Sequence, residues 1–138
     1  MSDEPFDDED DDAEPTPNGK LTLQTLAMPA DTNPNGDIFG GWLMSQMDLA
    51  GSILAAEIAG GRVTTVATGS MAFLRPVPVG ATISCYCEVQ EIGRSSVRIL
   101  VDVWLRIYSS GERYKVTEGT FIFVAIDDNG HTRRIKNQ

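Results

Sequence analysis

The sequence predicts an α+β domain in which an antiparallel sheet curls around one long helix. Residues 41–59 contain no proline and are apolar on nearly every side, which is typical of a buried helix. Most of the chain after the helix alternates apolar and polar residues between short turn sequences, as strands joined by hairpins do. One sheet cannot enclose a helix that is apolar all round, so we expect a strongly curled sheet or a second copy of the chain to cover it.

Each element has its own local signal. A first strand is predicted where residues 21–26 alternate, and a turn-rich loop follows from Asp31 to Gly41. The helix should end at Gly60 and Gly61, because glycine readily adopts the left-handed cap conformation. Turn sequences at 93–96 and 108–111 separate the later strands. Four strands are predicted after the helix, joined in succession by short hairpins: residues 63–73, 81–92, 97–107 and 113–126.

The charge of the chain is concentrated at its N-terminus. Nine of the twenty acidic residues precede Pro15, and the remaining eleven are balanced by eleven Lys and Arg. Such an acidic run buries too little apolar surface to offset chain entropy, so residues 1–17 are predicted to be a disordered tail and residues 18–138 a single domain. The tail either keeps the protein in solution or docks on a basic partner.

Composition excludes several classes of function. No basic stripe interleaved with aromatics is present, which argues against a nucleic-acid partner. The acidic N-terminus does not match a signal peptide, and Gln46, Asp48 and Glu57 make the helix a poor membrane span. Cys85 and Cys87 share one face of a strand and are expected to stay reduced, which predicts a cytoplasmic protein. With one distant histidine they do not form a metal site, so we expect none.

Asp48 is the most informative residue of the helix. At about 100° per residue it lies on one narrow arc with Gly41, Ser45 and Ser52, which leave room beside it. A carboxylate in an apolar helix is costly unless it is hydrogen-bonded or paired. Asp48 is therefore either a structural carboxylate or the acid, base or nucleophile of an active site.

Gly40 and Gly41 open the helix. Their N–H groups, with the positive end of the helix dipole behind them, are suited to stabilise a developing oxyanion. The alternative is that the two glycines only make the turn.

The motif residues resemble those of hotdog-fold acyl-CoA thioesterases of the YciA type. The match is carried by Asn33-x-x-Gly36-x-x-x-Gly40-Gly41-x-x-Met44-x-x-x-Asp48, preceded by residues 28–32. It extends to Gly93-Arg94-Ser95-Ser96, to Phe73-x-Arg75-Pro76-Val77 and to Arg113-Tyr114-x-Val116-Thr117, and covers about residues 21–134.

The resemblance implies a hotdog fold and the hydrolysis of acyl-CoA to free acid and CoA, in fatty acid metabolism. It makes Asp48 the catalytic carboxylate and assigns Asn33, from a neighbouring subunit, to positioning water or the thioester. It also implies a homo-oligomer with active sites at dimer interfaces, assembled as a trimer of dimers, and no cofactor, since coenzyme A is part of the substrate. From the residues alone, Asn33 is equally an Asx-turn residue that orders its own loop.

The phosphates of CoA need cations or N–H donors. Arg94, with Gly93, Ser95 and Ser96 in its turn, is the first candidate, and Arg75 is the second. Arg133, Arg134 and Lys136 are expected to be a solvated tail.

Two rival functions lack the residues they require. A serine hydrolase or a hotdog dehydratase would need a histidine near the helix, and the only one is His131. The remaining alternative is a non-catalytic acyl-CoA-binding or regulatory hotdog module.

Overall fold

The computed structural model describes residues 16–135. The predicted tail lies outside this range except for Thr16 and Pro17, and so does Lys136. Within the described residues the chain forms one long helix and five strands, with a 3-10 turn at Pro29–Asp31 between the first strand and the helix. In chain order they are β1 (Lys20–Leu26), α1 (Gly40–Ala59), β2 (Val63–Thr68), β3 (Thr82–Ile92), β4 (Ser96–Arg106) and β5 (Arg113–Ala125).

The strands form one antiparallel sheet in the order β1-β3-β4-β5-β2. The predicted α+β class and the number of strands are confirmed. The predicted succession of hairpins is wrong at one step, because β2 ends at Thr68 and pairs with β5 instead of β3. After Thr68 the chain makes only isolated backbone hydrogen bonds to β5, from Gly69 N to Thr120 O and from Leu74 N to Val116 O. Pro76 and Pro78, which have no N–H to donate, explain why regular pairing does not resume before β3.

Helix α1 packs one side on the sheet. It begins after Phe39 and ends at Gly60, whose φ of 70° is left-handed and whose N–H bonds to Ala56 O. Its buried residues contact the inward side chains of the strands, and a large apolar side chain buried in this way contributes about 1.5–3 kcal/mol. The buried residues of α1 are Leu43, Met47, Ala50, Gly51, Ala55 and Ala59.

The other side of α1 is open within one chain. Met44, Leu49 and Ile53 are 37%, 53% and 44% exposed, and Val66 on the neighbouring edge strand β2 is 55% exposed. We call this surface the open helix face. The expectation of a fully buried helix is therefore not met by a single chain, since the sheet covers only one side of α1. Within residues 16–135, none of the helices has the length and apolar character needed to cross a membrane.

The C-terminal segment is fixed to the end of the sheet, and Arg133 is not the solvated residue that the sequence suggests. Its Nη2 donates to Ala59 O at 2.9 Å and its Nε to Ile126 O at 3.1 Å. A guanidinium at this position caps the carbonyls of the last turn of α1. The prediction of a solvated tail fails here because the sequence does not reveal that residues 126–135 turn back onto the helix.

Candidate active site

Asp48 lies near the middle of α1, on the open helix face. Its side chain is half-buried, and its Oδ1 accepts a hydrogen bond of 2.6 Å from Thr65 Oγ1 on β2. The neighbouring hydroxyls of Ser45 and Ser52 donate to helix carbonyls, at Trp42 O and Leu49 O. The carboxylate is thus oriented by one strand residue and remains accessible from the open side.

Gly40 and Gly41 form the first turn of α1, as predicted. The first N–H groups of a helix have no acceptor within it, and the N-cap residue Phe39 provides no side-chain cap. A Cβ added at Gly40 or Gly41 would approach only the rings of Phe73 or Phe39, at 3.4 Å, which is an ordinary contact. Packing within the chain therefore does not require glycine at either position.

Asn33 orders its own loop. Its Oδ1 accepts hydrogen bonds from Asn35 N at 2.9 Å and Asp37 N at 3.1 Å, and its N–H donates to Asp37 O at 2.7 Å. These are the contacts that a residue ordering an Asx turn makes. They use only the carbonyl oxygen of the side chain, so its NH₂ group stays available as a donor.

A cavity of about 350 Å³ brings some of the candidates together. Asn33, Gly40 and Arg75 all line it, along with Phe73 and Val77 from the segment before β3. The guanidinium of Arg75 also lies over the ring of Tyr114, 4.3 Å from its centroid. One cation, one amide side chain and the helix N-terminus thus border the same space.

The Gly93–Ser96 turn lies elsewhere in the chain. Its backbone is fixed by hydrogen bonds of 2.8 Å from Ala125 N to Ser95 O and from Ile135 N to Arg94 O. Ala125 O in turn accepts from Arg133, the residue that caps the C-terminal end of α1. The turn is therefore at the opposite end of the helix from Gly40.

The candidates occupy three places along α1. Asp48 is eight residues beyond Gly40, which is about 12 Å along the axis, and the whole helix is about 30 Å long. Asn33 and Gly40 therefore do not meet Asp48 around one reacting atom within a single chain. Thr65, the donor to Asp48, cannot be recognised as a site residue from the sequence, because nothing distinguishes it from the other threonines of an ordinary strand.

The chain has close relatives among known proteins. The family model described as thioesterase superfamily matches residues 35–106. The acyl-CoA thioester hydrolase YciA of Salmonella typhimurium is 56% identical over 126 residues, which cover 89% of this chain and 95% of the relative. YciA of Escherichia coli is 56% identical over 122 residues, which cover 86% and 92%.

Solved structures agree with these relatives. A hexameric broad specificity acyl-coenzyme A thioesterase superposes with a TM-score of 0.86 at 54% identity, covering 90% of this chain and 86% of the other. A hexameric thioesterase from Yersinia pestis gives 0.85 at 54% identity, covering 89% and 100%. The sheet, the single long helix and the sequence identity lead to the same assignment: the chain belongs to the thioesterase superfamily, as a hotdog-fold member of the YciA type.

Proposed function

We propose that this chain hydrolyses acyl-CoA to a free carboxylic acid and CoA, at a site built between two copies of the chain. The relatives that are 56% identical over nearly their whole length are named for this reaction. The observation that carries the proposal is the position of Asp48. Its carboxylate is held by Thr65 on the open helix face and is not sealed in the core.

The chemistry of a thioester matches this small set of groups. A thiolate leaves readily, so a base or nucleophile and an oxyanion site suffice, without a strong general acid. Asp48 either deprotonates the attacking water or attacks the carbonyl carbon itself. The N–H groups of Gly40 and Gly41 stabilise the negative charge that develops on the carbonyl oxygen.

Two copies are needed because Asp48 and the glycine amides are about 12 Å apart within one chain. In our proposal Asp48 of one copy faces Asn33, Gly40 and Gly41 of the other, and the NH₂ of Asn33 positions the thioester or the water. Relatives of this fold are described as hexameric thioesterases. We infer a dimer with its sites at the interface, repeated three times in the hexamer.

A more distant relative supports the pairing of Asn33 with Asp48. The acyl-CoA hydrolase of Staphylococcus aureus, 28% identical, has been solved as an asparagine-to-alanine and as an aspartate-to-alanine variant. The two substituted positions are fifteen residues apart, as Asn33 and Asp48 are.

The substrate also needs cations for its phosphates. Arg75 is available beside Asn33, whereas Arg94, with Gly93, Ser95 and Ser96, reaches the same ligand only from another copy. No resident cofactor is required, and two buried reduced cysteines are suited to the cytoplasm.

The test is Asp48→Asn, which keeps the size of the side chain and its hydrogen bond from Thr65. We expect kcat for acyl-CoA hydrolysis, followed by free thiol, to fall by at least about a thousandfold. Light scattering should show an unchanged oligomer, and calorimetry should show unchanged affinity for CoA. Glu57→Gln is the matched control, since Glu57 lies on the same helix and makes only an exposed ion pair with Lys20.

Normal turnover by Asp48→Asn would remove Asp48 from the mechanism. A wild-type chain that binds CoA and releases no thiol would instead be a binding module.

A further inference from the structure

The face of the sheet that points away from α1 carries two arginines on neighbouring strands. Every second residue of β4, such as Val103 and Leu105, belongs to the core, so Trp104 and Arg106 leave the opposite face. Arg113 of β5 is the direct cross-strand partner of Arg106, and its guanidinium lies over the Trp104 ring, 5.7 Å from the centroid. We call Trp104, Arg106 and Arg113 the outer arginine surface.

We propose that the acidic N-terminal segment of the same chain, residues 1–15, docks on the outer arginine surface. Nine residues of this segment are acidic, and six of them form the unbroken run 7–12. The segment precedes the described part of the chain, which begins beside this surface. The contact is independent of the reaction proposed above.

The two arginines lack a counter-charge. Both are exposed, and neither makes an ion pair with any residue from 16 to 135. The acids of the same strand and turn have other partners: Glu118 pairs with Lys115, and Glu112 Oε1 accepts from Ser110 Oγ. Like charges directly opposite each other destabilise an antiparallel pair, so a carboxylate-rich segment would stabilise the sheet here. A guanidinium on an aromatic face still presents its N–H edge, which binds carboxylates in pairs.

The chain enters the fold across this same face. Asn18 N donates to Asp102 Oδ2 at 3.0 Å, and Trp104 Nε1 donates to the same atom, also at 3.0 Å. Asn18 lies two residues before β1, whereas Asp102 belongs to β4, and β3 separates these two strands in the sheet. The backbone therefore crosses the outer side of β3, about 10 Å, before it joins β1. Residues 1–15 thus leave the domain next to the indole that carries Arg113.

Two features of the domain fix this direction. Gly19 makes the turn into β1 with a left-handed φ of 96°, and a Cβ at this position would clash with Cys87 O, so only glycine fits. Asp102, 1% exposed, then holds the N–H of the preceding residue. The exit of the acidic segment is therefore set by the fold.

The acidic run is within reach of both arginines. Asp12 is six residues before Asn18, and an extended chain spans up to about 3.5 Å per residue, so Asp12 lies within about 20 Å of Asn18. A tether this short gives an effective concentration in the millimolar range, at which weak ion pairs suffice for docking. A docked segment also excludes other polyanions from the outer arginine surface.

The test is a double-mutant cycle in the full chain. One change replaces the five aspartates at positions 7, 8, 10, 11 and 12 by asparagine, and the other is Arg113→Gln. At low ionic strength we expect the neutralised segment to lower the melting temperature by about 2–4 °C in the otherwise wild-type chain. In Arg113→Gln, where docking is already lost, it should cause no further change. Arg113→Gln itself removes the repulsion with Arg106, so this variant should fold.

Proteolysis measures docking independently of stability. A glutamate-specific protease cuts the segment after Glu9 and Glu14, and mass spectrometry follows the loss. Because the protease cuts the undocked fraction, we expect cleavage about fivefold faster in Arg113→Gln than in the wild type. Arg113→Lys keeps the charge and should remain protected.

Lys20→Gln is the matched control. It removes the same charge close to the segment, but Lys20 pairs with Glu57 of α1 and so lies toward the helix side of the sheet. Cleavage should be as slow as in the wild type, and neutralising the segment should still lower the melting temperature.

Equal cleavage in the wild type and Arg113→Gln, with the same melting shift in both, would mean that the acidic segment does not dock on this surface. Faster cleavage in Lys20→Gln as well as Arg113→Gln would mean that the segment is attracted to the whole domain without a site. A melting temperature that rises on neutralisation would mean that the segment is repelled. Each of these results overturns the proposal.

Discussion

Two carboxylates of this chain are held in opposite ways. Asp102 is almost completely buried, and its Oδ2 accepts from an indole N–H and a backbone N–H while its Oδ1 pairs with Lys115 at 3.4 Å, so all its contacts come from its own chain. Asp48 is half-buried and has one hydroxyl donor, Thr65, and it faces the open side of the helix. A carboxylate that does chemistry must be accessible to a substrate, and of the two only Asp48 is exposed enough for that.

The cysteines show how burial controls reactivity. Burial raises the pKa of Cys85 from 9.0 to about 12, with a smaller contribution from the neighbouring Cys87. Burial also raises the pKa of Cys87, and a hydrogen bond with Thr22 partly offsets this. The thiolate is the reactive form, so a raised pKa keeps both thiols protonated and inert at neutral pH.

We therefore expect iodoacetamide at pH 8 to modify neither cysteine in the native protein and both in denaturant, as measured by mass spectrometry. The same shift makes a contribution to stability that is complete below pH 9, where the unfolded thiol is protonated. This contribution decreases as the pH rises from 9 toward 12. Alkylation of the native protein at pH 8 at the denatured rate would contradict the burial of both thiols.

A single segment can point to a residue only where that residue breaks the local pattern. Asp48 is noticeable because it interrupts an apolar helix. Asp102 and Arg113 are not, because a charged residue at the outward position of a strand is what alternation predicts. What makes them unusual is their long-range neighbours: Asn18 and Lys115 contact the buried Asp102, and Arg106 lies opposite Arg113. Such neighbours are set by strand pairing, which a single segment does not encode.

At the level of elements, the five strands could be predicted from alternation, and the helix from a long apolar segment without proline. The helix end at Gly60 was predicted from the left-handed conformation that glycine allows, and its φ of 70° confirms it. The partner of β2 could not be predicted, since an alternating segment before two prolines fits a hairpin as well as an edge strand. Long-range pairing with β5 decides between them.

The glycines of α1 give a prediction that separates packing from chemistry. A Cβ at Gly51 would lie 2.9 Å from Cζ of the buried Phe123, a side chain of the sheet. Gly51→Ala should therefore lower the free energy of unfolding by about 1–3 kcal/mol, in spite of the better helix propensity of alanine.

Gly41→Ala is the matched comparison. Its added methyl meets only the Phe39 ring at 3.4 Å, so stability should hold or rise by up to about 1 kcal/mol. Hydrolysis should nevertheless fall, because the methyl blocks approach of the thioester to the helix amides. Chemical denaturation and a thiol-release assay on both variants check this, and full activity in Gly41→Ala would show that Gly41 only makes the turn.

At the scale of the whole molecule, the open helix face requires a cover. It combines the exposed apolar residues Met44, Leu49 and Ile53 with the edge strand β2, whose outer side has no partner among the described strands. A wide apolar patch beside a free strand edge is typical of a subunit interface. Because Asp48 lies on this same face, the proposed mechanism makes assembly and catalysis depend on one surface.

This dependence can be measured by mixing two inactive variants. Asp48→Asn removes the carboxylate. Asn33→Asp removes the NH₂ donor but keeps the Oδ1 that accepts the two loop hydrogen bonds. Each proposed site joins Asp48 of one copy to Asn33 of the other. A mixed dimer therefore has one site with both intact residues and one site with both substitutions.

Random mixing makes half of the dimers mixed, and one of the two sites in each mixed dimer is intact. Co-expression of the two variants should therefore restore about a quarter of the wild-type activity per site. Separately purified variants combined without subunit exchange are the control and should stay inactive. If both residues acted within one chain, no mixed dimer would contain an intact site, and co-expression would give no more activity than the two variants alone. The recovered fraction therefore measures directly whether Asp48 reaches across the interface.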